Sequence, residues 1–235
     1  MSDTIIDTIH EADVALSVEA GQLRDHPAVE ALGFLSEISD QPPAFTLAAA
    51  ATVAGLLTRQ SRLAEGGARA LASLWLATQI KGRIKSAVVR TRPNKLLDEG
   101  HYETGLNGPD EHDFNSFPSG HTADAVAGAR AIGRVAPGAQ GVLLAAAGVV
   151  GLVQVPRAKH HLTDVVAGAI VGLVAEGAAD LGIPRNAGLR EQLAPERNGH
   201  VPEPGVDGLH AEQAHGIGHL ERVAGRARQR LVHVG

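Results

Sequence analysis

The chain has 235 residues, 44% of them hydrophobic and 20% charged, with a formal net charge of −5. That acidic balance excludes a general nucleic-acid binder, and the absence of cysteine excludes a disulfide framework or a thiolate metal site. Only 3% of the residues are aromatic, against abundant Ala and Gly, so the expected core is one of closely packed helices rather than a β-sandwich.

Residues 3–36 read as one or two amphipathic helices, broken near Asp25–Pro27, with Ile5, Ile9, Val14, Leu16 and Leu23 as apolar positions. The acidic start, MSDTIIDTIHEAD, lacks the basic-then-apolar order of an export signal, so no signal peptide is expected. The turn SDQPP then closes an N-terminal segment, residues 1–39. The spacing predicts five helices in the next segment, residues 40–182: 44–58, 68–85, 121–135, 141–155 and 162–182. Between the second and third lies a long irregular stretch, 91–118, rich in Gly, Pro, Asn and acidic residues; a connection of that length inside a domain is usually functional or disordered. Residues 183–235 form a tail dominated by Pro, Gly, Arg, Glu and His, with a helical pattern from about 209 to 232.

Residues 135–156 carry no charge, and such a run is long enough to cross roughly 30 Å of hydrocarbon. The other helices are poorer spans: the third carries Arg130 and Arg134, the fifth Glu176. Small residues suit close packing in lipid, but few aromatics are present for interfacial belts. Hydropathy therefore accommodates a membrane bundle and an Ala-rich soluble bundle alike.

Three polar clusters fall at helix ends. The first is KSAVVRTRP, with six residues between Lys85 and Arg92-Pro93. The second is PSGH, Pro118 to His121, and the third is VQVPRAKHHLTD, with His160 four residues before Asp164. If the helices run up and down with short turns, the end of the second, start of the third, end of the fourth and start of the fifth share one face. Lys and Arg gathered there read as an anion site, the guanidinium as a fork and the ammonium as a point charge. The helix start behind Ser119 and Gly120 adds backbone N–H groups. A histidine held in one tautomer by Asp164 has a basic, aimed second nitrogen, and another histidine can protonate a leaving oxygen. Two histidines, a carboxylate and several cations compose a site for phosphoryl transfer through a phosphohistidine, with no metal or other cofactor required. The carboxylates Asp98, Glu99, Asp110, Glu111 and Asp113 read as a solvated acidic loop rather than a metal cage.

These residues resemble the type 2 phosphatidic acid phosphatase family, which includes bacterial lipid phosphatases and the vanadium haloperoxidases. The family pattern is Lys-x6-Arg-Pro, then Pro-Ser-Gly-His, then Ser-Arg-x5-His-x3-Asp. Lys85, Arg92 and Pro93 meet the first, Pro118 to His121 the second, and His160 with Asp164 the end of the third. The family's Ser-Arg falls at Val153 and Gln154 here, and both are lost. Gln154 can donate a hydrogen bond to phosphate but brings no charge; Arg157, three residues on, is the candidate replacement cation.

The resemblance implies an all-α bundle of about five core helices, embedded in a membrane. It implies His160 as nucleophile, Asp164 as its orienting carboxylate and His121 as general acid. Lys85, Arg92, Ser119, Gly120, Gln154 and Arg157 are the implied phosphate ligands. His161 ranks second as nucleophile because it breaks the His-x3-Asp spacing. The implied activity is hydrolysis of lipid phosphate or diphosphate monoesters, such as phosphatidic acid, a phosphatidylglycerol phosphate or a polyprenyl diphosphate. The implied partners are membrane lipids, and the implied setting is the inner membrane with the site facing the periplasm. Three alternatives accompany that reading: a vanadate-dependent haloperoxidase, a non-catalytic membrane protein that binds lipid phosphate, and a soluble helical acid phosphatase.

Overall fold

The computed structural model describes residues 2–107 and 111–183, so the tail and its helical pattern at 209–232 lie outside the described residues. Two N-terminal helices, α1 (Ser2–Gly21) and α2 (Pro27–Ser36), are separated at the break that Asp25–Pro27 predicts. Pro27 starts α2 where its missing N–H is not needed, and Nδ1 of His26 accepts from the N–H of Ala28. A 3-10 turn, Glu37–Ser39, leads into the five core helices: α3 (Gln41–Leu57), α4 (Ser61–Ala87), α6 (Gly120–Val135), α7 (Gln140–Val153) and α8 (Leu162–Gly182).

The segment predicted as irregular is partly ordered. Val88–Arg90 (β1) pairs antiparallel with Thr104–Leu106 (β2), and a short helix, α5 (Pro93–Glu99), lies between them. The β-branched pair Val88-Val89 favours the extended turn out of α4. Pro93 opens α5 at its first position, and Gly100, at φ 67°, closes it in the left-handed region that glycine adopts at no steric cost.

The core is made of small side chains, as the composition predicts. Ala77 of α4, Ala123 and Ala127 of α6, and Val171 and Ala175 of α8 form one buried cluster. A second joins Ala48 of α3 to Ala70 and Leu74 of α4 and Ala131 of α6. The α6–α8 contact is closest where Gly168 and Gly172 face α6. A Cβ on Gly168 would lie 2.4 Å from the Ser119 carbonyl oxygen, and one on Gly172 2.5 Å from that of Ala123. This glycine seam sets the distance between the starts of α6 and α8.

The best membrane candidate differs from the one read in the sequence. The uncharged run 135–156 is divided between turns and α7, a helix of 14 residues spanning only about 21 Å. Among the described residues, α8 is the helix long and apolar enough to cross a membrane. Its Glu176 does not spoil it, because that carboxylate is buried inside the bundle, where it accepts from Arg134 Nε at 2.7 Å and lies 3.4 Å from Arg130 Nε. Asp180 and Glu65 pair with the buried Arg69 at 2.7 and 3.0 Å. These ion pairs match Glu65, Glu176 and Asp180 with Arg69, Arg130 and Arg134 between α4, α6 and α8. The outer faces of the core helices stay apolar, with Leu47, Leu56, Trp75, Val149, Ile170 and Val174 at least half exposed.

Candidate active site

The alternating course of the helices brings the end of α4, the start of α6, the turn after α7 and the approach to α8 to one end of the bundle. There they enclose a cavity of about 440 Å³. Six of the motif residues line it: Lys85, Arg92, Gly120, His121, Arg157 and His160. Lys159 of the third cluster lines it too, as do Lys81, Glu37 and Asp40, which lie outside the clusters. Lys81 stands one helical turn before Lys85, a spacing that already put both on one face of α4. Glu37 and Asp40 reach the cavity from the turn after α2, and no local pattern in the sequence announces that.

Lys85 and Arg92 are held by carbonyls rather than by carboxylates. Lys85 donates to the Asn115 carbonyl at 2.7 Å. Arg92 donates to the carbonyls of His112, Lys159 and Asn115 at 2.9, 3.0 and 3.3 Å. Carbonyls orient these groups without cancelling their charge, which leaves both ready for an anion. Burial, together with the charges of Arg92 and Lys81, pushes the Lys85 ammonium down to about 8. Lys81 is ion-paired with Asp124 of α6.

His160 is almost fully buried, and its Nδ1 lies 2.7 Å from the carbonyl oxygen of Ser116. A carbonyl can only accept, so Nδ1 carries the proton and Nε2 keeps the lone pair. Burial, with the charges of Arg92 and Lys85 adding and Asp164 opposing, pushes this ring down to about 3, so it is neutral at ordinary pH. Asp164 holds the ring less directly than the spacing suggested. Its Oδ2 is 3.7 Å from His160 Nδ1, beyond hydrogen-bond reach. That oxygen instead accepts from Ser116 Oγ at 2.5 Å and from the N–H of His161 at 2.8 Å, while Oδ1 accepts from Arg90 at 2.7 Å. The carboxylate fixes Ser116, and the Ser116 carbonyl fixes the histidine.

His121 sits in the first turn of α6, with Nε2 3.4 Å from Glu37 Oε2. Burial lowers its pKa against the opposing pull of Glu37 and Asp40. Ser119 is fully buried as the N-cap of α6, its Oγ accepting from the N–H of Thr122, and it does not wall the cavity. Gln154 is also fully buried and behind the wall, where Nε2 donates to Ser36 Oγ at 3.0 Å and to the Val150 carbonyl at 2.9 Å. Arg157 does reach the cavity. It donates to Glu37 Oε1 at 2.7 Å, Ser36 Oγ at 3.0 Å and Gln154 Oε1 at 3.2 Å. His161 turns away into the interior, its Nε2 3.0 Å from the Thr91 carbonyl. Among the described residues, Glu37, Asp40 and His121 form the group whose donor atoms, all within 4.8 Å of one another, could hold a metal ion. A cation there would compete with the Arg157 guanidinium for Glu37.

A neutral buried histidine, a second histidine and the under-neutralised cations Lys85 and Arg92 at one end of a helical bundle are the parts that phosphoryl transfer needs. Residues 66–179 match the model of the PAP2 superfamily. Two solved structures share the fold. The crystal structure of LpxE from Aquifex aeolicus aligns with a TM-score of 0.52 at 18% identity, covering 71% of this chain and 93% of that one. The transmembrane PAP2-type phosphatidylglycerolphosphate phosphatase from Bacillus subtilis aligns with a TM-score of 0.51, also at 18% identity, covering 76% and 89%. No curated protein matches the sequence.

Proposed function

We propose that the chain is a membrane phosphatase that hydrolyses lipid phosphate or diphosphate monoesters through a phosphohistidine at His160. The observation that carries this reading is the tautomer of His160: Nδ1 bound to the Ser116 carbonyl, in a ring that lines a cavity walled by Lys85, Arg92 and His121. Nε2 attacks phosphorus, the bond from phosphorus to the lipid oxygen breaks, and His121 gives its proton to that oxygen. Water then attacks the phosphohistidine, with His121 taking its proton, and phosphate leaves as His160 is restored. Lys85, Arg92 and Arg157 stabilise charge on the equatorial oxygens, and the N–H groups at the start of α6 assist. Arg157 is the cation that takes over from the family arginine, replaced here by Gln154.

A second cavity, of about 1080 Å³, supports a lipid rather than a soluble phosphate. It runs between α3, α4, α6 and α7 and is lined by side chains such as Leu47, Ala51, Leu74, Ile132 and Leu143. It meets the phosphate cavity at the Lys81–Asp124 pair, since Lys81 lines one and Asp124 the other. A hydrocarbon chain fits the apolar cavity while its phosphate fills the polar one. Our reading places the protein in the inner membrane, with the phosphate cavity opening toward the periplasm.

The test is phosphate release from phosphatidic acid and a polyprenyl diphosphate by detergent-purified protein in EDTA, with His160→Ala beside the wild type. Release that vanishes in the variant is the expected result. Binding of either lipid without release by folded wild-type protein would overturn it in favour of a lipid-binding role.

A further inference from the structure

We propose that Asp13, on α1 and far outside the matched family segment, is a positioning residue of the hydrolytic site: it holds Arg90, and through Arg90 the Ser116 carbonyl that aims His160. Asp13 is 6% exposed, unusual for a carboxylate on an amphipathic surface helix. Its Oδ2 accepts from Arg90 Nη2 at 2.7 Å. Its Oδ1 accepts from the N–H of Thr163 at 3.1 Å, and Thr163 Oγ1 also donates to Oδ2. One carboxylate thus ties α1 to the start of α8 and to the strand that follows α4.

Arg90 then grips Ser116 from two sides. Its backbone carbonyl accepts from the N–H of Ser116 at 3.1 Å. Its Nη1 donates to Asp164 Oδ1 at 2.7 Å, and the other oxygen of that carboxylate accepts from Ser116 Oγ. The Ser116 carbonyl, so held, is the group that receives the proton of His160 Nδ1. The guanidinium is a planar fork, and Asp13 occupies the prong that Asp164 does not. Without the Asp13 charge the fork is free to turn toward Asp164 alone, and the Ser116 carbonyl turns with it. None of these four residues is more than 6% exposed, so water cannot take the place of the lost partner cheaply.

The inference rests on the function proposed above, and two readouts separate their fates. Asp13→Asn keeps the shape and an acceptor for Thr163 but presents no charge to Arg90. In the phosphate-release assay its kcat falls tenfold or more with KM unchanged. In 15N spectra, the His160 ring leaves the single Nδ1-protonated tautomer of the wild type for a mixture. A double variant, Asp13→Asn with Arg90→Gln, is no slower than Arg90→Gln alone, because Asp13 acts through Arg90. A kcat within twofold of wild type, a change in KM alone, or an unaltered His160 spectrum overturns the proposal. If wild-type protein releases no phosphate, the proposed function fails and the spectra decide the positioning role by themselves. If Asp13→Asn does not fold, Arg90→Lys serves the same test, since an ammonium reaches one of the two carboxylates and not both.

Discussion

His160 takes its orientation from Ser116, whose carbonyl oxygen lies 2.7 Å from Nδ1, and Asp164 acts one step behind, 3.7 Å from the same nitrogen. The two supporting residues therefore differ in what their loss does. Ser116→Ala removes a hydroxyl but leaves the carbonyl, so kcat falls only about fivefold, the worth of roughly one hydrogen bond. Asp164→Asn leaves the buried Arg90 with Asp13 as its one charged partner and lets the Ser116 turn relax, so kcat falls about 10²–10⁴-fold and the fold loses about 3 kcal/mol. Steady-state kinetics and detergent-phase thermal unfolding of the two variants check this ordering.

Lys85 sits in tension between stability and function. Its pKa in the folded protein, about 8, lies below its ordinary value. The fold therefore disfavours the charged form, and that penalty is fully present below about pH 8 and fades as pH rises toward the unfolded value. Lys85→Met is expected to raise stability at pH 7 by about 2–3 kcal/mol, following the size of the shift, while abolishing phosphate release. In the wild type, affinity for inorganic phosphate, measured by calorimetry, declines as pH passes upward through about 8.

Glu37 links two residues that our mechanism uses differently. It raises the pKa of His121 against burial, and it occupies Arg157 at 2.7 Å. In Glu37→Gln the histidine binds its proton less tightly, so the alkaline limb of kcat moves to lower pH. The freed guanidinium meets phosphate without a competitor, so KM falls. A pH–rate profile with both parameters resolved shows the two effects in opposite directions.

Arg157→Ala is expected to raise KM about 10–100-fold, the range for a lost charge-assisted hydrogen bond. Phosphate affinity unchanged in that variant would remove Arg157 from the site and leave the loss of the family arginine uncompensated.

Gly168→Ala places a methyl where the Ser119 carbonyl stands, 2.4 Å away. The seam between α6 and α8 must open, at about 1–3 kcal/mol, and His121 moves away from His160. Activity is expected to fall even at temperatures where the protein stays folded, which circular dichroism and phosphate release measured together will show.

Much of the fold was legible because its signals are local. The five core helices start and stop near Pro, Gly and Ser punctuation, and their alternation forces Lys85, His121 and His160 to one end. The hairpin of β1 and β2 was not legible, because two three-residue strands around a short helix leave too little periodicity to read. The span 162–182 was ranked below 135–156 because hydropathy counts charges without their partners, and Glu176 is matched by Arg130 and Arg134. At the site, residues bound by sequence spacing came through. Those joined only by folding did not: Glu37 meets Arg157 across 120 positions, and Asp13 meets Thr163 across 150. Arg157, singled out because a missing charge has to be supplied from nearby, does line the cavity. Gln154, which occupies the place of the missing arginine, turned out to support Arg157 from behind rather than to reach the cavity.

The wall formed by Glu37 and Asp40 and the flank formed by α3 both precede residue 66, where the match to the superfamily begins. The boundary of homology is therefore not a boundary of competence. A chain cut at that point would keep every cation and both histidines of the motifs, yet expose them to bulk solvent on one side and leave the apolar cavity half unroofed. What such a fragment would lose is containment. The matched segment supplies the motif residues, while part of the enclosure around them comes from residues that precede it.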